Sequence, residues 1–115
     1  RENPKNPRGS SHLTLAQVFK TLQHEPRRRI LTQLSERPEL SLPAFVNDRV
    51  QAGPEAERSY LIELRHNHLP HLVECDLIER ERRHSVVLRG QQFDTIRPVI
   101  DLLRNNEHRL PASWP

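Results

Sequence analysis

Three clusters and one lone cysteine hold the residues with the most chemical potential. Arg58, Arg65, His66, Asn67, His68 and His71 lie along one stretch. Arg80, Arg82, Arg83 and His84 alternate with Glu79 and Glu81. Arg27, Arg28 and Arg29 form an unbroken run, and Cys75 is the single cysteine. Arginine grips phosphate bidentately and reads guanine edges, while asparagine pairs with adenine edges. These residue types point to a phosphate-bearing partner. Catalysis is poorly served. There is no P-loop, nucleophile elbow, paired-carboxylate motif or metal triad, and Asp and Glu are scattered at ordinary helical spacing, so no enzyme is expected.

His66, His68 and His71 invite a metal reading. Residues two apart on a helix diverge by ~200°, so this spacing does not place all three on one face. No metal, cofactor or small-molecule ligand is expected. A single cysteine excludes an intramolecular disulfide and any multi-cysteine zinc site. Cys75 reads as a small buried residue near a helix end.

The 115 residues suffice for one domain. Lys and Arg number 18 against 15 Asp and Glu, giving +3, with a pI near 9.7. Only Lys5 and Lys20 are lysines, which leaves 16 arginines. GC-rich coding also produces such a count, so position is more informative than number. No apolar run approaches the ~20 residues that span a bilayer. Arg1 to Ser11 is polar and Pro-rich, without a signal-peptide pattern. A cytoplasmic, nucleoid-associated protein is expected, without membrane contact.

The elements that must position these clusters follow from periodicity. Residues 1–12 show no apolar period and read as a flexible arm. Leu15, Val18, Phe19 and Leu22 form one helical stripe. Pro26 suits the first turn of a second helix, with Ile30, Leu31 and Leu34 facing inward. Residues 36–39 break the chain around Pro38. Ser41 caps a short third helix containing Leu42, Phe45, Val46 and Val50. Gly53-Pro54 ends it. Glu55 and Glu57 open a long helical stretch through Tyr60, Leu61, Leu64, Leu69, Leu72 and Val73, which Pro70 should kink or split. Leu77-Ile78 and Val86-Val87-Leu88 read as a hairpin with residues 79–84 at its charged tip. A last helix carries Phe93, Ile96, Val99, Ile100, Leu102 and Leu103, interrupted by Pro98.

The expected fold is mostly α with a small β-hairpin, in the order α-α-α-α-β-β-α. That is a winged helix-turn-helix arrangement. It would occupy residues 13–108, followed by a C-terminal tail over 109–115.

Two segments also carry a family resemblance. Leu22 to Leu31, with its Arg27-Arg28-Arg29 run, resembles the opening of archaeal, haloarchaeal-type winged-helix regulators related to the ArsR group. Leu64 to Ile78, with His66-Asn67-His68-Leu69-Pro70, resembles the segment of that family joining recognition helix to wing. The family pattern has Lys and Gly where this chain has His71 and Asp76. The resemblance covers about Leu15 to Leu103. It implies a homodimeric transcription regulator that binds double-stranded DNA. Its soft-metal sensing relies on cysteine pairs, so one cysteine does not carry it over.

On this reading Arg58, Arg65, His66, Asn67, His68 and His71 contact DNA from the long helix, and Arg80, Arg82, Arg83 and His84 from the wing. Arg27, Arg28 and Arg29 sit at a helix N-terminus, where cations need compensation by a DNA phosphate or by an acid such as Glu25. Leu15, Phe19 and Leu22 of the first helix, with Phe93, Ile96, Ile100, Leu102 and Leu103 of the last, are the expected homodimer interface. Two alternatives use the same fold: a non-specific architectural DNA-binding protein, and a protein–protein interaction module.

Overall fold

The computed structural model describes residues 13–81, 85–111 and 114–115. The expected N-terminal arm, and Arg82, Arg83 and His84 of the hairpin, lie outside the described residues. Thr14 starts helix α1 (Leu15–Leu22) with a reciprocal cap. Its hydroxyl accepts from the Gln17 amide at 3.1 Å, and the Gln17 side chain accepts from the Thr14 amide at 2.8 Å. Helix α2 (Glu25–Glu36) carries Pro26 in its first turn, as expected. Helix α3 (Leu42–Arg49) is capped by the Ser41 hydroxyl, which accepts from the Ala44 amide at 3.3 Å.

The long stretch is built in three parts: helix α4 (Pro54–Glu63), a π-helical turn (Leu64–His68) and helix α5 (Leu69–Glu74). Proline has no N–H, and its ring collides with the carbonyl four residues back. The chain widens one turn ahead of Pro70 instead of breaking, and the Leu69 amide reaches the Leu64 carbonyl, five residues back. The helix then stops cleanly. Asp76 has φ +59°, its amide donates to Val73 at 2.9 Å, and the Leu77 amide donates to Leu72 at 2.9 Å. This paired closure normally favours glycine at the left-handed position.

The fold is mostly helical with one small antiparallel sheet. Strands β1 (Glu39–Ser41), β2 (Ile78–Glu81) and β3 (Val86–Arg89) lie in the order β1-β3-β2. Leu40 pairs with Val87, and Glu79 with Leu88. Two features differ from expectation. Strand β1 replaces the break around Pro38: its three residues bury only Leu40, too little for a visible period. Glu79, Arg80 and Glu81 lie in β2 and not in the tip. That strand is an outer one, and edge strands tolerate charged side chains because one side of each faces water.

Ile30, Leu31 and Leu34 of α2, Leu64, Leu69 and Leu72 of the long stretch, Val87 of β3, and Phe93, Ile96 and Ile100 of helix α6 (Phe93–Asn105) are buried together. This corrects part of the expected dimer interface. Phe93 is 1% exposed, and Ile96 and Ile100 are 0% exposed, because α6 lays that stripe on α2. The intact outer surface comprises Leu15, Phe19 and Leu102, which are exposed, with Leu22 and Leu103 half-buried. In the tail, Trp114 packs against the core, with the Arg28 guanidinium 6.0 Å from its ring.

Gly90 is where α6 turns back under the sheet. A Cβ there would lie 2.4 Å from the Asp76 carbonyl oxygen and 2.7 Å from the Ile78 amide nitrogen. Both neighbours are backbone held in the helix stop and the sheet, so neither can move cheaply. Gly90→Ala is expected to destabilise the chain by about 2–3 kcal/mol in chemical denaturation. A loss below about 0.5 kcal/mol would show that this junction is slack.

Candidate nucleic-acid interface

Gly53, at φ +107°, makes the turn between α3 and α4. Only glycine enters that region freely. The turn sets α4 across α3 and leaves one face of α4 outward. Arg58, Ile62 and Arg65 fall on that face at i, i+4 and i+7, and all three are exposed. Arg58 and Arg65 also line a groove of about 340 Å³ with Leu42, Pro43 and Val46 of α3, Glu57 and Leu61 of α4, and Ser85 before β3. The helix pair and the turn end of the hairpin, at Ser85, therefore converge on two guanidinium groups. Neither group makes a hydrogen bond or ion pair with any described residue. Glu63, two residues before Arg65, instead accepts from the Asn67 amide at 3.0 Å.

Of the other expected contacts on this stretch, His66 is exposed beside Arg65. Asn67 is exposed but tethered, accepting at 3.4 Å from Arg27 as well as donating to Glu63. His68 and His71 turn inward, which corrects their assignment to the outer surface. His68 is 4% exposed, and its Nδ1 accepts from Arg27 Nε at 3.1 Å. His71 Nε2 lies 2.7 Å from the Thr21 hydroxyl and 3.8 Å from the Cys75 sulfur. The reason is spacing: positions 64, 68, 71, 72 and 75 recur at intervals of three and four on the face turned toward α1 and α2. Arg80 is half-buried on β2 opposite Val87, away from the groove lining.

In the Arg27 to Arg29 run, Arg27 is buried, contrary to a phosphate-contacting role, while Arg28 and Arg29 are half-buried and already engaged within the chain. The end of α1 leaves carbonyls without helical partners, and the start of α2 lies beside them. Arg27 donates to Lys20 at 2.9 Å and Arg28 to Leu22 at 2.6 Å. Arg29 pairs with Glu25 at 3.0 Å, the acidic compensation that the sequence allowed. Arg49 of α3 takes the same carboxylate at 2.8 Å. Burial pushes the Glu25 carboxyl up, but hydrogen bonds and charge from Arg49 and Arg29 outweigh it and hold it below the usual carboxylate value.

Sequence reasoning missed Ile62. It lies off the stripe of Tyr60, Leu61 and Leu64, yet it is 51% exposed between the two free arginines. Its off-stripe position was the available signal. Among the described residues, no group of three His, Cys, Asp or Glu side chains could hold a metal ion. No helix among them is long and apolar enough to cross a membrane. No protein-family model, curated protein or solved structure matches the chain.

The inward histidines give the fold a pH dependence. Burial, then the Arg27 charge, then His24 lower the His68 pKa, with Glu63 opposing. Burial and Arg27 likewise lower that of His71, with Glu74 opposing. The unfolded chain, at about pKa 6.5, therefore binds these protons more readily than the folded one. Stability should be level above about pH 6.5 and fall as pH drops below it. His68→Gln keeps a neutral acceptor for Arg27 and should flatten that fall in thermal melts from pH 7.5 to 5. An unchanged profile would remove His68 from the acid response.

Proposed function

We propose that the chain is a homodimeric winged helix-turn-helix protein that binds double-stranded DNA and regulates transcription. The long stretch beginning with α4 is the recognition helix in the major groove, and the β2–β3 hairpin is the wing on the flanking backbone or minor groove. The observation that carries this reading is the pair of free guanidinium groups, Arg58 and Arg65, facing one groove between the helix pair and the hairpin. The element order, with a short strand before α3 and a hairpin after α5, supports it. So does the net charge of +3.

The dimer reading rests on the apolar surface of α1 and α6. Leu15 is 69% exposed, Phe19 63% and Leu102 62%. Leu22 and Leu103 line one shared groove with the tail residues Leu110 and Trp114, which supports reading the two helices as one face. Joining two copies there would set the recognition helices about one DNA turn (~34 Å) apart.

A second reading, an architectural DNA-binding protein, is favoured by the basic pI of 9.7. A salt titration against selected and random duplexes separates the two. A regulator is expected to discriminate by about 1,000-fold or more, and an architectural protein to show a steep salt slope with little discrimination. Arg58→Ala and Arg65→Ala should each cost about 1–3 kcal/mol of duplex affinity if they contact base edges. Unchanged affinity in both would remove this face from the interface. Phe19→Glu should convert the dimer to a monomer in sedimentation and weaken DNA binding with it. A parent chain that sediments as a monomer yet binds with full affinity would overturn the dimer.

A further inference from the structure

The face bearing Arg58 and Arg65 holds one more side chain whose exposure the fold does not use. Ile62 has over half its surface in water at 51% exposure, while Leu64, Leu69 and Leu72 fill the core side of the same stretch. The arginines on either side are free of every described partner. The face therefore presents donor, apolar group, donor, in that order along two helical turns. At ~1.5 Å rise per residue, Ile62 stands about 6 Å along the axis from Arg58 and about 4.5 Å from Arg65. Base pairs repeat every ~3.4 Å, so the three side chains match positions one to two base pairs apart.

The major groove of B-DNA offers one apolar group, the C5-methyl of thymine, and its best guanidinium acceptor is the O6/N7 edge of guanine. We propose that Ile62 is a specificity-determining residue that seats on a thymine methyl, between guanines bound by Arg58 and Arg65. This inference rests on the DNA-binding reading above and names the bases that reading leaves open. An isoleucine in this place gains by losing water and can form no hydrogen bond to the other base edges, so it discriminates through one methyl group.

The test uses the full chain and duplexes recovered from a random pool. In the recovered site each thymine is replaced in turn by deoxyuridine, which lacks only the methyl. One thymine position is expected to lose about fourfold in affinity, the effect of exposing one buried methyl. Replacing guanine by 7-deazaguanine at the flanking positions should lose tenfold or more. Ile62→Ala, a change at an exposed position, should fold normally and bind the thymine and deoxyuridine duplexes equally. Retention of the parent's thymine preference by Ile62→Ala would overturn the inference, as would a recovered site indifferent to every deoxyuridine replacement. Recovery of no duplex at low salt would instead overturn the DNA-binding reading, and this inference with it.

Discussion

The Arg27 guanidinium is the constraint from which the rest of the structure follows. It is 6% exposed, and arginine does not deprotonate in proteins. A buried cation normally requires a carboxylate. Here its described partners are neutral: the Lys20 carbonyl, His68 Nδ1 and the Asn67 side-chain oxygen. The first is at the C-terminal end of α1, where the helix dipole is negative. The second accepts only while His68 is uncharged. Arg27 thus requires α1 to end there, requires His68 to stay neutral, and ties the π-helical turn to α2. With His68 held on the inner side and Asn67 tethered to Arg27 and Glu63, Arg65 and His66 face outward.

The same principle organises the other arginines. Arg89 donates to Leu34 at 2.6 Å and Arg97 to Ser35 at 2.8 Å, closing the C-terminal end of α2 as Arg28 closes that of α1. Both also sit over the Phe93 ring, at 5.3 and 5.8 Å. Arg104 pairs with Glu36 at 2.7 Å. Arg27, Arg28, Arg89 and Arg97 thus supply donors to helix ends that lack glycine caps. The composition therefore overstates the basic surface, and the Arg58 and Arg65 guanidinium groups are notable because they share one outward face and one groove.

Helices α2, α3 and α6 were legible because each buries several apolar residues, and punctuation at Pro26, Ser41 and Gly53-Pro54 marked where helices begin or end. Strand β1 was not, because three residues with one buried side chain carry no period. Strand β2 was cut short because charged residues on an edge strand look like a turn. The candidate site was half legible. Residue type found Arg58 and Arg65, but type alone could not separate them from His68, His71 and Arg27, whose direction depends on where α1 ends. Ile62 was passed over for a different reason: it lies off the core stripe, and an apolar residue there gains meaning only once the outward face is known.

The small number of cations on the candidate face shapes the proposed mode of binding. Electrostatic affinity for duplex DNA grows with the number of phosphates neutralised, and its salt slope is ~0.9 per contact. The Arg58 and Arg65 face by itself would give a shallow slope and weak non-specific binding. Doubling the site through α1 and α6 doubles that number without altering the net charge per chain. Placing the arginines at base edges rather than on phosphates makes each count toward discrimination instead. The second route favours sequence-reading over bulk attraction, and it suits a surface where an isoleucine lies between two arginines. A protein that worked by charge alone would gain more from a third cation at position 62 than from an apolar side chain.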